Sequence, residues 1–243
     1  MPMLAILLSI CLLLSPIGRA VASPDRFIQL GTKNNDTQIQ LGTPNRDVVV
    51  QFGFSGNDTQ YASVGDGNDV IIQNGGTSND SQSVRAGFGN DYIVQEGSVG
   101  DDEMNVFGDL GNDNITMNGG LGNDKITALG AEDPDFVTIK GGNGNDIIRV
   151  DGADGNDAIR IDAGSGNDNI TYDVSAGLDI VHIDGGTGVE AITFNSKAQN
   201  FTVSDTIGNV LYQAGVGGSV IAVVNIEQII VLGPDGNVLY KNY

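Results

Sequence analysis

An acidic residue recurs every 11 positions along more than half of this chain. From Asp25 the series runs Asp36, Asp47, Asp58, Asp69, Asp80, Asp91, Asp102, Asp113, Asp124, Asp135, Asp146, Asp157, Asp168, Asp179 and Glu190, sixteen positions without an insertion. A register kept for that long restricts the fold to a repeat architecture in which each unit packs on its neighbours.

The columns beside the acid say what the unit is. Glycine stands two residues before it at Gly56, Gly67, Gly89, Gly100, Gly111, Gly122, Gly144, Gly155 and Gly166, and asparagine usually stands between the two. Two residues after it come Ile71, Ile93, Met104, Ile115, Ile126, Val137, Ile148, Ile159 and Ile170, with a polar residue next and another apolar residue after that. Such alternation predicts a short strand with one buried face, and the glycines predict a turn that needs positive φ or a close backbone approach. Each unit therefore reads as a six-residue turn and a five-residue strand.

A doubled period sits inside the first. Gln29, Gln51, Gln73 and Gln95 are 22 apart, as are Gln38, Gln60 and Gln82, but the two sets hold different places in the unit. This predicts coils of 22 residues with two strands each, stacked into two parallel sheets across a thin core. Stacked glutamines at about 4.8 Å can pair as amide ladders.

Such stacking lines up the acids in two columns, one along each edge. Neighbouring carboxylates at about 4.8 Å repel by roughly 1 kcal/mol in water and 3–4 kcal/mol at an effective dielectric near 20. The chain has 31 acidic and 11 basic residues, a net charge of −20, and no basic column accompanies the acids. A hard divalent cation answers this better than lysine could. Calcium takes roughly six to eight oxygens in flexible geometry, and glycine turns expose carbonyls. Zinc would want His and Cys, of which the chain has one each.

The charge also excludes partners: nucleic acid and anionic membranes would be repelled. A hydrophobic share of 40% argues against a solvated tail. Residues 1–22 read as an export signal, with the apolar run "LAILLSICLLL" and cleavage expected after Ala22. Cys11 lies within it, so the chain after cleavage has no thiol, and no membrane span is expected of it.

The segments "GGLGNDKIT", "GGNGNDIIR", "DAGSGNDNI" and "GDGNDVIIQ" resemble the hemolysin-type, or repeats-in-toxin, calcium-binding motif. The family motif G-G-x-G-x-D-x-U-x is a nonapeptide, and this chain is two residues longer per unit, read as a longer strand on the same turn. The resemblance covers residues 25 to about 190. It implies an all-β, right-handed parallel β-roll of about eight coils with calcium ions between successive turns. Carried over to the intact "GND" units, it implies Asp58, Asp69, Asp91, Asp113, Asp124, Asp146, Asp157 and Asp168 as side-chain ligands. Asp25, Asp36, Asp47, Asp80, Asp102, Asp135, Asp179 and Glu190 stand in degenerate units and are left open. The competing reading is that the aspartates only accept turn amides.

Residues 23–200 are thus expected to form the roll, and residues 201–243, where the register fails, a β cap. Catalysis is not expected. His182 sits in a polar strand slot, and no nucleophile–base set or phosphate loop is present. The expected role is a secreted, calcium-dependent structural or adhesive module, meeting a cell-surface or matrix component. The alternatives are a solenoid face that binds polysaccharide or ice, or a calcium-binding domain associated with a separate exported partner. Self-association through the first coil also stays open.

Overall fold

The structure, a computed structural model, describes residues 25–174, 177–196, 201–206, 209–214 and 220–241, without the side chains of residues 196–214. The expected export signal, residues 1–22, lies outside the described residues. Those residues contain no helix long and apolar enough to cross a membrane.

The chain winds into a parallel β-solenoid with a 22-residue step. One sheet stacks Asp25–Leu30, Asp47–Ser55, Val70–Thr77, Tyr92–Val99, Asn114–Leu121, Phe136–Asn143, Ala158–Gly166 and Ile180–Asp184 in that order. The second stacks Thr37–Leu41, Thr59–Asp66, Ser81–Phe88, Glu103–Leu110, Lys125–Leu129, Ile147–Asp151, Asn169–Val174 and Ala191–Ser196. Between these strands the parallel pairing keeps the step: Val49 faces Ile71, Ile71 faces Ile93, and Ile126 faces Ile148. Many strands run to eight residues rather than five, because residues that open the turn, such as Gly76, Ser98 and Gly120, still pair with the adjacent coils.

The core lies between the sheets and changes character along the axis. Met104, Met117, Ile126, Ile139, Ile148, Ile161, Ile170 and Ile183 are fully buried. In the first coils glutamines occupy the same columns and pair as expected. Gln51 donates to Gln29, Gln73 to Gln51 and Gln95 to Gln73 at 2.6–2.8 Å. On the other sheet Gln60 donates to Gln38 and Gln82 to Gln60.

Beyond Glu190 the structure departs from a simple cap. Val220–Val224 resumes the first sheet, parallel to Ile180–Asp184, and Gln228–Leu232 resumes the second, parallel to Ala191–Ser196. The 11-residue register is lost because two strands, Phe201–Thr206 and Asn209–Ala214, intervene before it. These pair antiparallel with each other, Asn209–Ala214 also pairs antiparallel with Val220–Val224, and Val238–Lys241 closes the second sheet antiparallel. One further coil precedes the closing strands.

Candidate metal centres in the turns

The turn that introduces Asp124 shows why three glycines come before it. A Cβ on Gly119 would lie 2.3 Å from Asp124 Oδ2, so that position must be bare. Gly120 takes φ +107°. Gly122 takes φ +134° and faces the coil before it so closely that a Cβ would lie 1.8 Å from the Gly100 carbonyl oxygen.

Two polar ladders join successive turns, and they point in opposite directions. From Asp36 to Asp157 the N–H of each acid donates to Oδ1 of the acid one coil further on, as from Asp58 to Asp80, Asp91 to Asp113 and Asp124 to Asp146, at 2.7–2.8 Å. The residue before the acid works in reverse. Asn112 N–H donates back to Asn90 Oδ1, and Asn145 N–H to Asn123 Oδ1, at 3.1 and 2.8 Å. Glycine, asparagine and aspartate each have a separate job in the "GND" run.

The carboxylates point inward. Asp58, Asp69, Asp91, Asp113, Asp124, Asp146, Asp157 and Asp168 are all at most 2% exposed. Their Oδ1 atoms take the ladder amides, but each Oδ2 is buried without a hydrogen-bond partner. Asp80, Asp102 and the Oε1 of Glu190 share that condition. Burial pushes these acids up: Asp80, Asp102 and Asp124 to about 6, Asp69, Asp146 and Asp157 to about 7, and Asp113 to about 8. Neighbouring acids add to the rise, against the ladder bond, which favours the ionised form.

Backbone geometry sorts the sixteen positions better than the motif does. Each partnerless oxygen follows, four residues on, a residue with positive φ. That residue is Gly76 before Asp80, Ser98 before Asp102, Asp109 before Asp113 and Ala153 before Asp157. The equivalent residue before Asp47 and Asp135 lacks positive φ, and its N–H reaches the carboxylate instead: Thr43 to Asp47 at 2.7 Å, Ala131 to Asp135 at 3.4 Å. Thr32 does the same for Asp36, and Tyr172 OH donates to Asp179 Oδ2 at 3.0 Å. Asp80 and Asp102 therefore stand with the eight intact units, and Asp135 stands apart. Sequence reasoning could not place Asp80 or Asp102, because a serine in the left-handed region leaves no pattern to read.

The donor set can be tested against calcium. A Cβ on Gly53 would lie 2.3 Å from Asp58 Oδ2 and 2.2 Å from the Gly75 carbonyl oxygen of the next coil. Around Gly141 the corresponding oxygens are Asp146 Oδ2 at 2.4 Å and the Ala163 carbonyl at 2.3 Å. A buried carboxylate oxygen thus shares one glycine with a carbonyl from the adjacent coil, and no donor stands between them. Hard oxygens without protons fit calcium's preference. Among the described residues no three Asp, Glu, His or Cys side chains converge, so backbone carbonyls would supply most of any shell. No protein-family model matches this chain, and no curated protein matches it significantly.

Proposed function

We propose that this protein is an exported calcium-binding repeat protein whose solenoid is completed by calcium and serves a structural or adhesive role outside the cell. One observation carries the reading: two columns of buried carboxylates, each with one oxygen unpartnered in an otherwise bonded turn. An uncompensated buried charge is costly, and a whole column of them multiplies the cost. The side chains that would hold the ions are Asp58, Asp69, Asp80, Asp91, Asp102, Asp113, Asp124, Asp146, Asp157 and Asp168, joined by turn carbonyls. Calcium would supply positive charge to carboxylates that, among the described residues, form no ion pair with lysine or arginine. The resemblance to the repeats-in-toxin motif supports the same reading. The carboxylates form a periodic row rather than one tuned pair, which supports a non-catalytic role.

The test is a calcium titration of the protein from strong chelator, followed by far-ultraviolet circular dichroism, with magnesium as control. Ordering and metal binding are linked, so β signal should rise cooperatively near 10⁻⁴–10⁻³ M calcium, roughly the range of extracellular modules. A chain fully folded in chelator and indifferent to calcium would refute the reading. The aspartates would then be turn formers acting through Oδ1 alone.

A further inference from the structure

The first four coils differ from the rest on both faces of the first sheet. Their interior holds the glutamine ladders beside Val49, Ile71 and Ile93, and the outer face of the first sheet also carries aliphatics. One outward column reads Ile28, Val50, Ile72 and Val94 in direct register, flanked by Val70 and Phe52. Further along, the same column turns polar, through Thr116, Thr138, Arg160 and His182. Strand propensity does not explain this. The second sheet presents Ile39 and Leu41 outward in the first coil only, and Thr59, Tyr61, Ser63, Ser81 and Ser83 in the next two. Ile28 is 68% exposed and Leu30 63%.

The corners of this patch say what fits it. Arg26 marks the first coil at the start of the strand and Leu30 its end; Tyr92 and Glu96 mark the fourth coil in the same way. Arg26 makes no ion pair among the described residues. With strands about 4.8 Å apart and a rise of about 3.3 Å per residue, the patch is nearly square, about 14 by 13 Å between corner Cα atoms. The two charges sit at opposite ends of one diagonal.

We infer that this face is a self-association surface, on which two copies pack with their sheets crossed at about 90°. A two-fold axis through the Leu30 and Tyr92 corners lays Arg26 of each copy over Glu96 of the other and Tyr92 over Tyr92. Orthogonal sheet packing is an established geometry, and an isologous contact must be self-complementary in this way. The net charge of −20 opposes every approach of two copies, and this patch adds least to that repulsion because inside its four corners it carries no acid. The area is below the roughly 800 Å² per partner of a stable complex, so the dimer is weak and reversible.

Sedimentation velocity in calcium-containing buffer, over a range of protein concentrations, tests this. The expected result is a monomer–dimer equilibrium. Ile72→Lys abolishes it. Arg26→Glu weakens it about tenfold, the scale of two rim ion pairs turned repulsive, and Arg26→Glu with Glu96→Arg restores it. Circular dichroism checks that each variant folds. A wild type that stays monomeric overturns the proposal, even if the face then binds zwitterionic vesicles or a polysaccharide. So does a dimer that survives Ile72→Lys, or a charge swap that fails to restore association.

Discussion

Asp124 N–H donates to Oδ1 of Asp146, one coil further on, at 2.8 Å, while Oδ2 of Asp146 has no partner. The two oxygens of one carboxylate therefore have separable roles. Asp146→Asn keeps the Oδ1 acceptor, removes the charge and puts an amide donor beside the Ala163 carbonyl. In chelator this variant should be more stable than wild type by about 1 kcal/mol, a Tm rise of roughly 2–4 °C. It should also bind less calcium by isothermal titration calorimetry. Asp146→Ala strands the Asp124 amide as well and should lose about 1–3 kcal/mol with or without calcium. An asparagine variant that binds calcium as the wild type does would count against Oδ2 as a ligand.

The pH response should reverse with metal. Burial holds Asp113 at about 8 and Asp69, Asp146 and Asp157 at about 7, against an ordinary 3.8. The metal-free folded chain therefore keeps protons that the unfolded chain releases. Its stability is full below about pH 4 and falls as pH rises through about 6 to 8. Calcium competes with those protons, so the calcium-loaded form should gain stability over the same interval. Tm against pH, in chelator and in calcium, checks both slopes. A chelator curve that rises from about pH 4 to pH 8 would contradict the buried columns.

Turn glycines should be unequal. Gly122→Ala places a Cβ 1.8 Å from the Gly100 carbonyl, at φ +134°. It should cost more than the roughly 1 kcal/mol of an ordinary glycine site. Gly236→Ala has nothing within 4 Å and φ +71°, so only the left-handed strain of about 1–2 kcal/mol remains. Thermal denaturation of the two variants decides the order.

The glutamine ladder should be cooperative. Gln73 donates to Gln51 and accepts from Gln95, at 2.7 and 2.8 Å. Gln73→Leu leaves both neighbours short of a partner in the interior and should cost about 1–3 kcal/mol. Replacing Gln29, Gln51, Gln73 and Gln95 together by isoleucine should cost less than four times that. The same column already holds Met117, Ile139 and Ile161 further along. Additive losses in chemical denaturation would show that the amides act singly.

Much of this was legible because the repeat spells out its own register. Asp25 opposite Asp47 and Gln51 opposite Gln73 follow from counting alone, and the two-sheet sandwich follows from the doubled glutamine period. The turns were harder. That Ser98 adopts φ +82° is imposed by stacking on Gly76 and Gly120, not by serine's own preference, so Asp102 looked degenerate from its "VGD". Asp135 looked doubtful and does differ, since Ala131 turns its N–H onto the carboxylate. The resumed coil at Val220 was hidden because the strands before it carry no period to follow.

Because the turn ladder bonds from Asp36 to Asp157 each span 22 residues, the turns they join are equivalent along the axis even where the core between them changes. Excising residues 114–135 would bring Phe136 to the place that Asn114 holds, and each turn would find an equivalent partner below it. An excision of 11 would instead send every strand beyond it into the other sheet. Recombination between copies of the repeat can therefore lengthen or shorten this molecule freely, but only in whole coils, and its reach from end to end is open to selection without any redesign of the core.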